Sequence, residues 1–228
     1  MIGFLSPEWP DLFADRLRGF RDGLGQVGYV EGQNVSIEYR WAEGRIDRLP
    51  ALAAELVRRQ VNVIAALGST PAALAAKAAT NTIPTVFYVG TDPVKIGLVA
   101  NFNRPGGNIT GVTTLNVQIA AKRLELVHEL LPKATVIAAL VNPANPIVAD
   151  TSERDLLAAT RTLDLRLHVL RASTESEIND ALATVVQLQA NALLIDADAL
   201  FISHSKQLAA LTTLSFPKIS SAQIRAMR

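Results

Sequence analysis

The residues of this chain that could do chemistry sit where apolar runs stop. Ala65–Leu67 leads into Gly68-Ser69-Thr70-Pro71, Val86–Val89 into Gly90-Thr91-Asp92-Pro93, and Ile137–Val141 into Asn142-Pro143-Ala144-Asn145-Pro146. Ser, Thr, Asp and Asn are favoured at helix N-caps, and proline suits the first helical position, where its missing N–H would be unpaired anyway. The first and third stretches therefore read as strand, cap, helix. In an open parallel α/β sheet such corners lie at the carboxyl ends of the strands, where ligands bind. Helix N-termini carry free N–H groups and partial positive charge, so several of them aimed at one crevice suit a small anionic or zwitterionic ligand.

Roles follow from residue type. The Ser69 and Thr70 hydroxyls, with the N–H groups opening the helix at Pro71, would donate to a carboxylate. Ser6 and Asp92 would line the same half of the site, and Asn142 and Asn145 would reach it from the other half. Asp198 could hold an ammonium group, although Asp196, Asp198 and Asp92 equally fit plain helix capping. Trp9 follows Ser6-Pro7 on the ligand side of the first strand, as does Trp41 after the second. Either a rim-packing role or stacking on an apolar or aromatic ligand suits Trp9.

Signals for other chemistry are weak. Gly23-Leu24-Gly25-Gln26-Val27-Gly28 matches the dinucleotide fingerprint, which must follow a strand and open a helix; here it closes one. No phosphate-binding Gly-Lys-Ser/Thr occurs. His128, His168 and His204 are far apart, without carboxylate or histidine partners at metal-ligand spacing. No serine-nucleophile elbow and no poised pair of carboxylates is visible. Neither a cofactor nor a metal, and no catalytic residue, is expected.

The elements that must position these residues alternate regularly. Ile2–Leu5 predicts a strand, and Phe13, Leu17, Phe20, Leu24 and Val27 recur at helical spacing. Strands are predicted at Val35–Tyr39, Val61–Leu67, Thr85–Val89 and Ile109–Thr113, with helices over Pro50–Arg59 and Pro71–Ala79. A long helix is predicted from Val117 to Leu131. The pattern then restarts: strand Val136–Asn142, helix Pro146–Leu163, strand Leu165–Arg171, then a helix to about Gln189 opened by a Thr174/Glu177 capping box. Strand Ala192–Asp196, helix Leu200–Leu211 and strand Phe216–Ser220 complete it. Alternating β and α elements mean parallel sheets covered by helices. A single sheet would need nine strands, so two Rossmann-like α/β lobes are expected, 1–114 and 115–228.

Composition narrows the classes. Of the 228 residues, 49% are hydrophobic and 19% charged, which excludes a disordered chain. A net charge of +1 argues against a nucleic-acid partner. Cysteine is absent, which excludes disulfides and thiol chemistry. No stretch approaches a membrane span. Met1 leads straight into the first strand with no signal peptide, so the chain taken literally is cytoplasmic; a start placed too far downstream is the competing explanation.

Several blocks carry a family resemblance: Ile2-Gly3-Phe4-Leu5-Ser6-Pro7, Gly28-Tyr29-Val30-Glu31-Gly32-Gln33-Asn34 and Tyr39-Arg40-Trp41-Ala42-Glu43-Gly44. Asp92-Pro93-Val94-Lys95-Ile96-Gly97-Leu98-Val99, Arg104-Pro105-Gly106-Gly107-Asn108-Ile109-Thr110-Gly111-Val112 and Lys122-Arg123-Leu124-Glu125-Leu126 extend them in order. Together they resemble the ABC-transporter substrate-binding proteins of the tryptophan-binding type. The resemblance implies a type I periplasmic binding fold, in which two Rossmann-like lobes joined by a hinge close on a solute such as an aromatic amino acid. It also implies a periplasmic or lipid-anchored location and a membrane permease as partner. Against that family the export signal and the C-terminal portion are expected to be missing, leaving the second lobe and hinge incomplete.

The leading expectation is solute capture without chemistry. The alternative is a Rossmann-like enzyme acting on a nucleotide or phosphorylated substrate. A repressor-type sensor lobe shares the fold but would need a DNA-binding module, and none precedes Met1.

Overall fold

Ile2–Ser6 forms β1, a strand buried along its whole length, as expected of a central parallel strand with helices on both faces. The computed structural model describes residues 1–215, so the strand predicted at Phe216–Ser220 lies outside the described residues. The chain divides into two compact units, the first Met1–Leu115 and the second starting at Asn116.

In the first unit β1 is followed by α1 (Ala14–Gln26), β2 (Ile37–Trp41), α2 (Leu49–Arg58), β3 (Val63–Leu67), α3 (Thr70–Ala79), β4 (Thr85–Val89) and β5 (Ile109–Thr113). The five strands form one parallel sheet of order β2-β1-β3-β4-β5. One face packs on α2 and α3 through Leu5, Ile64, Ala66, Phe87, Val89 and Ile109. On the other face Phe4 and Ala65 meet Phe13 and Leu17 of the α1 region. There Phe4 lies 5.3 Å from the Trp41 ring and 5.7 Å from Phe13, so Trp41 is held in an aromatic cluster. Gly28 follows α1 with φ of 87°, a left-handed conformation that glycine adopts without strain. The glycine motif thus closes a helix, as its position in the sequence implies. Val27, expected on the inward face, is 69% exposed.

β2 begins two residues later than predicted. Asn34 ties the preceding loop together, its Oδ1 accepting from the Val30 N–H at 2.8 Å and its amide donating to the Gly28 carbonyl at 2.7 Å. A side chain that bonds its own local backbone competes with the sheet ladder and delays the strand.

The second unit contains α4 (Ala120–Leu130), β6 (Val136–Val141), α5 (Pro146–Thr162), β7 (Arg166–Arg171), α6 (Glu175–Gln187), β8 (Ala192–Ile195), α7 (Ala199–Ser203) and α8 (Ser205–Ser215). Its sheet is parallel with order β7-β6-β8. Leu124 of α4 and Leu156 of α5 pack with Ile137, Ala139 and Leu194 on one face. Thr174 caps α6 by accepting from the Glu177 N–H at 3.3 Å, while Glu177 returns to the N–H of Ser173, one residue before the cap. α4 starts at Ala120 rather than Val117. The predicted helix over Leu200–Leu211 is two helices, interrupted at His204. Among the described residues no helix is long and apolar enough to cross a membrane.

Candidate ligand-binding site

Both sheets turn back on themselves in the same way. The chain leaves β1 for β2 on one side and arrives at β3 on the other; likewise it leaves β6 for β7 and arrives at β8. The loops after β1 and β3, and after β6 and β8, therefore diverge at a topological switch point, where open α/β sheets form a crevice at their carboxyl ends. Of the residues singled out for ligand binding, all but Asp92, which follows β4, lie at such a strand end, in the loop beyond it or at the start of the next helix.

In the first unit the corner is built from hydroxyls. Ser69, in extended conformation, caps α3 by accepting from the Ala72 N–H at 3.3 Å. Thr70 begins the helix, and its hydroxyl lies 3.0 Å from that of Thr91 beyond β4. Ser6 ends β1 and accepts from the Glu8 N–H at 3.2 Å. Ser6, Ser69, Thr70 and Thr91 are all buried. Asp92 ties up a turn, its Oδ1 accepting from the N–H groups of Val94 and Lys95 at 2.9 and 3.1 Å. The segment after Pro93 is a series of turns rather than a helix.

Trp9 is half-buried, its indole against the backbone of Gly44: a Cβ there would fall 2.2 Å from the ring. Gly44 has φ of 79°, so both conformation and close approach call for glycine. Glu8, which sequence reasoning passed over, is 3% exposed and bonded to Arg16 at 2.8 Å. Thr91 was also missed as a site residue. The usable signal was position: each follows a strand end by one or two residues.

In the second unit the corner is built around a carboxylate. Asp198 is 2% exposed. Its Oδ1 accepts from the Asn142 amide at 2.8 Å and from the Leu200 N–H at 3.0 Å, and its Oδ2 accepts from the Asn145 amide at 2.8 Å. The structure thus brings together Asn142, Asn145 and Asp198, and Asp198 also caps α7. Asn145 departs from the expected cap. It occupies the N-cap position of α5, but its amide is committed to Asp198 and no side chain caps the helix. Its Oδ1 is buried with no hydrogen-bond partner. Asn142 Oδ1 accepts from the Ala144 N–H at 3.0 Å, which fixes the loop.

Asp196 lies two residues before Asp198 and is held differently. Oδ1 accepts from the Ser152 hydroxyl and the Ala197 N–H, each at 2.7 Å. Oδ2 is buried without a hydrogen-bond partner. Burial chiefly pushes this carboxyl up to about 6, with the nearby Asp198 charge adding to the rise and Ser152 and Arg123 opposing it.

Ser6, Trp9, Ser69, Thr70 and Asp92 therefore belong to the first unit's corner, and Asn142, Asn145 and Asp198 to the second unit's. These groups can donate to a carboxylate and accept from an ammonium. Among the described residues no group of three His, Cys, Asp or Glu side chains could hold a metal ion.

The fold is that of the type I periplasmic binding class. The family model described as ABC transporter substrate binding protein matches residues 9–219, and the chain belongs to that family. That family is one of substrate-binding proteins. A curated relative, the tyrosine-binding protein of Clostridioides difficile (strain R20291), is 32% identical over 186 residues. That match takes in 82% of this chain and 52% of the relative, so the chain spans about half the length of that protein. A solved ABC domain from Streptococcus pneumonia in complex with L-Trp superposes with a TM-score of 0.75 at 23% identity, over 94% of this chain and 71% of that one. A solute-binding protein of an ABC transporter from R. palustris, solved with benzoate, gives a TM-score of 0.65 at 17% identity, over 95% of this chain and 60% of its own.

Proposed function

We propose that this chain is the solute-binding component of an ABC-type importer and captures a small amino-acid-like or aromatic carboxylate between its two units. The observation that carries the reading is the repetition of a polar corner at the switch point of each sheet, at the ends of β1 and β3 and of β6 and β8. The ligand carboxylate is received by the Ser69 and Thr70 hydroxyls and by the N-terminus of α5, which no side chain caps. Asn145 Oδ1, buried and unpartnered, is the acceptor for a ligand ammonium. Asp198 holds both asparagines in place and adds negative charge. Trp9 is the stacking surface for an aromatic ring.

The named ligands of related proteins support the class. The curated relative is called a tyrosine-binding protein, and two structural neighbours hold L-Trp and benzoate, all aromatic carboxylates. By the family's role, the partner is a membrane permease and the place of action is the periplasm or cell exterior.

Thermal unfolding in the presence of L-tyrosine, L-tryptophan, benzoate, L-leucine and ATP tests the reading. A ligand at 100 times its dissociation constant adds about 2.7 kcal/mol to stability. Stabilisation by an aromatic carboxylate supports the proposal. Stabilisation by ATP alone, accompanied by its hydrolysis, would replace capture with an enzyme.

A further inference from the structure

One polar group of the second unit is left over by the solute-binding reading. Asp196 Oδ2 is buried and unpartnered, and Asp196 lines a small pocket. The pocket walls are largely apolar, with Ala120, Ala139, Leu156 and Leu194 among them. Its polar lining comes from three side chains on three elements: Asp196 beyond β8, Ser152 on α5 and Arg123 on α4. Ser152 is already bonded to Oδ1. The Arg123 guanidinium is turned to the backbone, Nη2 donating to the Ile195 carbonyl at 2.9 Å. That carbonyl belongs to the last residue of β8, an edge strand among the described residues.

An arginine at a strand-end carbonyl beside an orphaned carboxyl oxygen has two acceptors to choose between. With a neutral carboxyl, the guanidinium gains more from the carbonyl. With an ionised carboxylate, a charge-assisted bond to Oδ2 is roughly twice as strong as a neutral one. Ionisation without rearrangement would leave a buried, half-satisfied charge, which is costly. We propose that Arg123 and Asp196 form a proton-operated latch: protonated Asp196 leaves Arg123 on the Ile195 carbonyl, and loss of the proton draws the guanidinium to Oδ2, releasing that carbonyl. Ile195 leads through Asp196 and Ala197 into Asp198, so the latch acts on the backbone that carries the asparagine–aspartate corner. The proposal concerns the second unit's own geometry and stands whether or not that corner binds a solute.

Charged or titratable groups meet Asp196 from two other places. Arg123 on α4 favours ionisation, and Asp198 before α7 opposes it. Ser152 on α5 adds a hydrogen bond that favours the charged form. Burial outweighs these and holds the carboxyl at about 6, so the latch would operate between mildly acidic and neutral conditions.

The test is an NMR titration of the full chain from pH 4 to 8, following the Asp196 carboxyl carbon and the Ile195, Asp196 and Ala197 amides. In the wild type all should move with one midpoint near 6. Arg123→Met should raise the carboxyl midpoint by about one unit, because the stabilising cation is gone. In that variant the Ile195 amide should no longer change with the carboxyl. Arg123→Lys keeps the charge and should restore most of the midpoint while weakening the coupled amide shift. Asp196→Asn should remove the transition from every probe. An Arg123→Met midpoint within 0.2 of the wild type, or wild-type Ile195 amides that do not titrate with the carboxyl, would overturn the latch.

Discussion

The two units solve the same topological corner with different chemistry. In the first, Ser6, Ser69, Thr70 and Thr91 offer neutral hydroxyls that rotate and can exchange one partner for another. In the second, one buried carboxylate is locked by two carboxamides and a backbone N–H. A hydroxyl that turns to a ligand leaves no buried charge behind. Asp198 has no such freedom, and removing its partners would strand a buried anion. The first corner is therefore an adaptable donor surface. The second is a rigid scaffold whose spare capacity is Asn145 Oδ1 and the uncapped start of α5.

The comparison predicts unequal sensitivity. Asp198→Ala should be the most damaging change, because it strands two buried carboxamides and uncaps α7. A loss of about 3–5 kcal/mol is expected in urea unfolding. Asp198→Asn should recover part of that loss, since one of its two new faces still accepts.

Asp196→Asn should act in the opposite direction. The free-chain value of 3.8 lies below the folded value of about 6. Such a carboxyl stabilises the fold while it is neutral in both states, and that stability is lost as pH rises from about 4 to about 6. The full difference is roughly 3 kcal/mol at neutral pH. The asparagine variant should therefore be more stable than the wild type at pH 7, similar at pH 4, and flat between them. Equal stability curves for the two proteins would show that Asp196 ionises without penalty.

In the hydroxyl corner, Thr70→Val and Ser69→Ala should each cost about 1 kcal/mol in the same assay. A loss as large as that of Asp198→Ala would erase the distinction between scaffold and donor surface.

The units also differ in how their sheets are covered. α4 and α5 share one face of the second sheet. In the first unit α1 covers only β1, β2 and β3 on the corresponding face, leaving Val86, Tyr88 and Val112 of β4 and β5 exposed, the last at 64%. Val112→Lys should change stability by no more than about 0.5 kcal/mol and should raise solubility, measured by precipitation with ammonium sulfate. A large destabilisation would mean that this face is packed.

Much of this was legible in the sequence, for identifiable reasons. Strand-cap-proline punctuation located α3 and α5, and Thr174 with Glu177 located α6, because caps depend on residues a few positions apart. The Asn142–Asp198–Asn145 grouping could be suspected only as separate strand-end residues. Its partners lie more than fifty positions apart, and no local rule pairs them. Asn145 does not cap α5 because its amide is turned to Asp198, which comes from the distant loop beyond β8. Glu8 was missed because its burial depends on Arg16 across the turn into α1. The break at His204 carried no glycine or proline to announce it.

The most direct measurement is an amide and side-chain NMR titration of the full chain with L-tryptophan. Thr70 and Ala72 in the first unit and the Asn145 side chain in the second are expected to shift together and saturate with one dissociation constant. Saturable shifts in only one unit, or none at either corner, would contradict it.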